Sequence, residues 1–68
     1  HPNVIQLYDV FKEANRTLFV QEYCPAGDLL KYLMEVNVGE KEVRKLVKGI
    51  LNGVNHMHSI GVVHRDLK

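Results

Sequence analysis

Residues 62–68 read Val-Val-His-Arg-Asp-Leu-Lys. An apolar pair leads into His64, Arg65, Asp66 and Lys68, with Asp66 between an Arg and a Lys. A carboxylate placed there can accept a hydrogen bond from a substrate hydroxyl. On residue types alone the same stretch also describes an exposed charged loop. The chain that leads into it has to separate the two.

Upstream, Val43, Leu46, Val47, Ile50, Leu51, Val54 and Met57 fall at spacings of 3, 1, 3, 1, 3 and 3. That period predicts an amphipathic helix over 40–59. Lys41, Arg44, Lys45, Lys48, Asn52 and Asn55 lie mainly off the stripe. At ~1.5 Å per residue such a helix is about 30 Å long, enough to support a substantial lobe. Gly49 and Gly53 each cost about 1 kcal/mol relative to Ala inside a helix. They are expected to face a close packing partner, or simply to be tolerated. Gly61 is placed to stop the helix, and Val62-Val63 to begin an extended segment.

Cys24-Pro25-Ala26-Gly27 breaks the chain between two kinds of pattern, since proline lacks an N–H and glycine accepts positive φ. After it, Asp28 is an N-cap for a short helix at Leu29–Glu35, where Leu29, Leu30 and Leu33 can cluster. Before it, residues 4–12 and 17–23 mix β-branched, aromatic and polar side chains in the manner of strands. Ile5 and Leu7 share a face at period two. The polar stretch Glu13-Ala14-Asn15-Arg16 between them predicts an antiparallel hairpin. An isolated hairpin is marginal in water, and no third strand is in view.

The chain has 68 residues, 46% hydrophobic and 25% charged, with a net charge of +1. That is the composition of a folded segment rather than a disordered one. It is too short for two domains. Below about 70–80 residues one core rarely supplies more than ~3–5 kcal/mol without staples. Cys24 is the sole cysteine, so neither an internal disulfide nor a multi-cysteine metal site can form. A balance of nine basic against eight acidic residues gives no sign of a nucleic-acid or membrane-surface binder. No apolar run is long enough to span a membrane. His1 opens the chain with no initiator Met and no leader pattern, and the start is read as cut.

Four histidines raise the question of a metal. His56 and His58 sit about 200° apart on a helix, without the i, i+4 spacing of a helical zinc pair. Solvated or helix-end histidines are the ordinary alternative, and the sequence identifies no partner for His1. Cys24 has no neighbouring base to make it a nucleophile. A half-buried thiol behind a proline turn is the reading that accounts for it.

The order of residues 64–68 weighs against the bland loop. His64-Arg65-Asp66-Leu67-Lys68 resembles the catalytic loop of eukaryotic protein kinases. Five specified letters match by chance in a chain of this length about 2 times in 100,000 at uniform composition. His1-Pro2-Asn3 looks like the kinase turn between helix C and strand 4. Gln21-Glu22-Tyr23-Cys24-Pro25-Ala26-Gly27-Asp28-Leu29 resembles the hinge running from strand 5 into helix D. The stripe at 40–59 stands where the family has helix E. These features follow the family order over essentially the whole chain.

The resemblance implies an α+β fold: a piece of the two-lobed kinase architecture, with a small-lobe hairpin in 1–23, a hinge at 22–28 and the start of the large lobe in 29–68. It implies ATP-dependent phosphate transfer to protein hydroxyls. Asp66 matches the residue that takes the substrate proton, a role that contributes roughly 10²–10⁴-fold. Lys68 matches the lysine that contacts the transferring phosphate and is common in serine/threonine kinases. Arg65 matches the partner of a phosphorylated activation loop, and His64 a packing histidine. By position, the resemblance implies that adenine is held by the Glu22 carbonyl and the Cys24 N–H and carbonyl, with Gln21 in the gatekeeper place. Asp28 matches a ribose contact, in addition to its capping role. Leu7 and His64 match members of a stacked hydrophobic spine, and Leu29 the floor of the adenine site. ATP and a protein substrate are the implied partners, with neither nucleic acid nor membrane. Mg²⁺ is the implied cofactor, its ligands lying outside the chain. The implied location is cytoplasmic or nuclear.

The departures are equally specific. The sequence has no Gly-rich loop, no Ala-x-Lys strand and no helix C Glu. It contains neither the metal-binding Asn nor Asp-Phe-Gly. Phosphoryl transfer needs those groups, so the chain is expected to be an internal slice that does not catalyse alone. One alternative is a pseudokinase that keeps the fold and binds partners. Another is a free helical module that uses 40–59 as an interaction surface.

Overall fold

The computed structural model describes residues His1–Lys68 and has the expected α+β order. Strand β1, Leu7–Lys12, pairs antiparallel with β2, Thr17–Gln21. The connection is the polar Glu13–Arg16 stretch, closed by the Glu13 N–H donating to the Arg16 carbonyl at 2.8 Å. The Arg16 guanidinium also reaches the Glu13 carboxylate. Strand pairing is shorter than the apolar patterns suggest. Val4, Ile5 and Gln6 lie before β1, and the register shifts between Leu7 and Asp9, with Tyr8 as the extra residue. Such a bulge adds twist and resets which side chains share a face, so period two does not run through this strand.

After β2 the chain turns at Cys24-Pro25-Ala26-Gly27. The Gly27 N–H donates to the Cys24 carbonyl at 3.3 Å, and Gly27 has φ +86°. A β-carbon is disfavoured at that φ. Helix α1, Leu29–Glu35, begins on Asp28, whose Oδ1 accepts from the Lys31 N–H at 2.8 Å. That satisfies one of the donors a helix start leaves open.

Helix α2, Glu40–Ser59, has the bounds the apolar period marks out. Glu40 and Glu42 stand in its first turn and His56 and His58 in its last. Arg44 Nη2 meets Glu40 Oε1 at 2.7 Å one turn away. At its end the Gly61 N–H donates to the His58 carbonyl at 3.1 Å, and the Val62 N–H to the Met57 carbonyl at 2.9 Å. With Gly61 at φ +82°, this is a Schellman stop. It releases residues 62–68 as a loop without regular structure.

The expected partner of the α2 glycines is the turn at His1–Val4. Pro2 occupies a turn position that suits its fixed φ, and the Val4 N–H closes the turn on the His1 carbonyl at 3.1 Å. Asn3 Nδ2 donates to the Gly49 carbonyl at 3.1 Å, and Gly53 is the one buried residue of the chain. The His1 ring lies 4.9 Å from that of His56, tilted by 34°. His1 therefore has a partner that its distance along the chain concealed, and His56 is half-buried rather than solvated.

Apart from this junction, little is packed. β1 and β2 are the only elements whose Cα atoms approach within 8 Å. No apolar side chain is buried. The Cα radius of gyration is 15.0 Å, against about 11 Å for a compact chain of this length.

Candidate functional site

The residues singled out in the sequence fall into two clusters. The loop cluster is His64, Arg65, Asp66 and Lys68. His64 Nδ1 accepts from the Asp66 N–H at 3.0 Å, so the imidazole holds the backbone beside the carboxylate. Arg65, between them, has φ 70°, a left-handed conformation that L residues with side chains rarely occupy. The His64–Asp66 bond closes around that residue and keeps it there. Lys68 Nζ stands 3.5 Å from Asp66 Oδ2, both side chains largely in solvent. The Asp66 carboxylate accepts no hydrogen bond from the protein. It remains open to a hydroxyl.

Behind the loop, His64 and Leu67 share a concavity of about 340 Å³ with Asn3, Val4, Ile50 and Met57. The turn at His1–Val4, helix α2 and the terminal loop thus meet at one place. Sequence reasoning missed the Asn3 contact because its partner lies 46 residues away. The unexplained glycines at 49 and 53 were the signal that pointed toward it.

The hinge cluster is a set along the chain, Leu7, Gln21, Glu22, Cys24, Asp28 and Leu29, and neither strand comes within 8 Å of α1 between Cα atoms. Leu7 and Gln21 are cross-strand partners. The Glu22 N–H donates to the Gln6 carbonyl at 2.8 Å, while Glu22 Oε2 accepts from the Gln6 N–H at 3.1 Å. The Glu22 carbonyl and the Cys24 N–H make no hydrogen bond within the protein. The Cys24 carbonyl accepts from Gly27 and keeps a second lone pair. The Cys24 thiol is free and exposed rather than half-buried, since no other element packs over the turn that carries it. Asp28 spends one oxygen on the helix cap. Leu29 borders a concavity of about 350 Å³ with Ala26, Tyr32 and Leu46.

No hydrogen bond or ion pair joins the two clusters, and Leu7 and His64 do not share a concavity. No group of three or more His, Cys, Asp or Glu side chains converges. These residues do not by themselves fit the Mg²⁺ that the resemblance implies. No helix is long and apolar enough to cross a membrane.

Comparison of the sequence with known proteins points to one family. The protein kinase domain pattern covers residues 1–68. The hormonally up-regulated neu tumor-associated kinase of Mus musculus is 41% identical over 69 aligned residues, covering 100% of this chain and 10% of that protein. Homolog B of the same kinase in Xenopus laevis is 42% identical, again over 100% of this chain and over 11% of that protein. The NUAK family SNF1-like kinase 1 of Mus musculus is 38% identical over 100% of the chain and 10% of its own length. The chain thus spans about a tenth of the length of the curated relatives it matches. No solved structure matches it.

Proposed function

Because this chain belongs to the protein kinase domain family, we propose that it serves ATP-dependent transfer of the γ-phosphate to serine or threonine hydroxyls of a protein substrate. Residues 1–23 stand in the small lobe, 22–28 form the hinge, and 29–68 open the large lobe. The observation that carries the proposal is the terminal loop. A Schellman stop on α2 delivers it, the His64–Asp66 bond shapes it, and Asp66 presents an open carboxylate beside Lys68.

Asp66 orients the attacking hydroxyl and accepts its proton. Lys68 places a positive charge beside the same point, where the transferring phosphate carries negative charge. At the hinge, the open Glu22 carbonyl and Cys24 N–H offer one acceptor and one donor two positions apart. An adenine edge presents the complement, an amino N–H and a ring nitrogen. Mg²⁺ would supply neutralisation of the phosphate charge, and residues 1–68 offer no ligand group that would hold it. A polypeptide of residues 1–68 alone lacks a metal ligand set and does not transfer phosphate.

The deciding experiment is Asp66→Asn in the full-length protein, assayed with ATP, Mg²⁺ and a Ser/Thr peptide library. Loss of roughly 10²–10⁴-fold in kcat, with nucleotide binding retained, is expected. Unchanged turnover, or a wild-type protein that binds ATP without transferring phosphate, would remove the proposal in favour of a pseudokinase.

A further inference from the structure

In a hydrogen-bonded antiparallel pair, two facing residues exchange both N–H···O bonds. Gln6 and Glu22 stand one step beyond the Leu7–Gln21 pair, where the sheet runs into the hinge, and they make only one of the two bonds. The Glu22 N–H goes to the Gln6 carbonyl at 2.8 Å, as the ladder requires. The return bond does not reach the Glu22 carbonyl. The Gln6 N–H donates instead to Glu22 Oε2 at 3.1 Å. A side-chain oxygen has replaced its own main-chain carbonyl in the ladder.

The substitution has a physical cause and a consequence. Charge-assisted hydrogen bonds are roughly twice as strong as neutral ones, so a carboxylate within reach outcompetes an amide carbonyl for one N–H. The Glu22 carbonyl has no partner in the protein. The Leu7/Asp9 register shift stands at the same end of the sheet, where pairing is already irregular and leaves the Glu22 side chain room to fold back.

We propose that Glu22 is a positioning residue for nucleotide selection. Its carboxylate occupies the Gln6 N–H and so keeps the Glu22 carbonyl free to accept the exocyclic amino group of a purine. This rests on the hinge reading given above and adds a side-chain role to a residue otherwise involved only through its backbone. Without the carboxylate, the Gln6 N–H recaptures the carbonyl. The site then loses its preference for a 6-amino purine while its other contacts persist.

The test compares ATP with purine riboside 5′-triphosphate, which lacks the 6-amino group, in the full-length protein. The readout is the ratio of kcat/KM for the two nucleotides, with kcat and KM resolved separately. In the wild type, ATP is favoured. In Glu22→Met, which keeps the bulk and removes the acceptor, the preference shrinks roughly three- to tenfold through KM. Glu22→Gln, whose neutral amide oxygen has the same reach but competes with the main-chain carbonyl on equal terms, falls between the wild type and Glu22→Met. Glu22→Asp, one methylene too short, behaves like Glu22→Met and decides the matter if the methionine variant misfolds. A wild type indifferent to the 6-amino group would overturn the hinge reading itself. A wild type that discriminates, with Glu22→Met and Glu22→Asp discriminating equally well, would overturn the role of the carboxylate and leave the hinge reading standing.

Discussion

The Asn3 main-chain oxygen lies 2.8 Å from the position a β-carbon on Gly53 would take. Gly49, one turn earlier, would place its β-carbon 3.8 Å from Asn3 Nδ2. The two glycines face the same residue, yet they should answer oppositely to alanine. In a helix, Gly→Ala gains about 1 kcal/mol. At Gly49 nothing offsets that gain, since 3.8 Å is ordinary contact and the Asn3 amide can shift. At Gly53 the neighbour is backbone in a closed turn, and overpacking costs about 1–3 kcal/mol. Melting the full-length protein should show Gly49→Ala unchanged or stabilised by up to about 1 kcal/mol, and Gly53→Ala destabilised by up to about 2 kcal/mol. Equal effects at the two positions would mean that the turn does not dock as described.

Asp28 carries two roles that nucleotide chemistry can separate. As an N-cap it accepts from the Lys31 N–H, and Asp→Ala at such a site costs about 1 kcal/mol. As a ribose contact it matters to ATP alone. Asp28→Asn should keep the cap and the melting temperature, because asparagine caps about as well as aspartate. If the carboxylate holds a ribose hydroxyl, Asp28→Asn should still raise the KM for ATP several-fold. The KM for 2′,3′-dideoxy-ATP should not change. A variant with unaltered KM for both would leave Asp28 as a cap only.

How much of this was legible in the chain differs from place to place. The bounds of α2 could be read to the residue, because Gly39 and Gly61 punctuate an apolar period that nothing interrupts. The Asp28 cap and the Glu13–Arg16 turn were legible for the same local reason. The bulge at Tyr8 was not, since an inserted residue leaves no mark on composition. The His1–His56 contact depends on where two distant segments meet, which no local pattern encodes. In the site, His64, Asp66 and Lys68 were legible as a motif, and the Glu22 carbonyl through the resemblance, whereas the bond from the Gln6 N–H to the Glu22 carboxylate was not. That bond depends on where an exposed side chain turns.

Lys68 and Asp66 illustrate a contact that should count for chemistry and not for stability. Their charged atoms are 3.5 Å apart, with side chains 82% and 75% exposed. Ion pairs that open to water are screened and contribute little to folding. Lys68→Met should therefore leave the melting temperature of the full-length protein close to wild type. Its kcat should fall at least about tenfold if the ammonium stabilises charge on the transferring phosphate. A matched drop in stability and turnover would instead make Lys68 a structural residue.

A polypeptide of these 68 residues should not melt as a cooperative unit. Its accessible surface is 6414 Å², against about 4,400 Å² for a compact monomer of 7.8 kDa. Phe11, Phe19, Leu30, Met34, Leu51 and Val63 are each more than half exposed. Exposed large apolar side chains on every element mark faces that pack against other chain or aggregate. The two-stranded sheet has no helix against it, and a lone hairpin is marginal in water. Helix α2 is the element best able to persist, since its length passes the roughly 12–15 residues at which isolated helices become marginal. Circular dichroism of the isolated polypeptide should show partial helix lost gradually on heating. It should bind a hydrophobic dye or associate as concentration rises, with no sharp calorimetric peak. A reversible two-state transition from a monomer would instead require a buried apolar core, and none of the side chains supplies one.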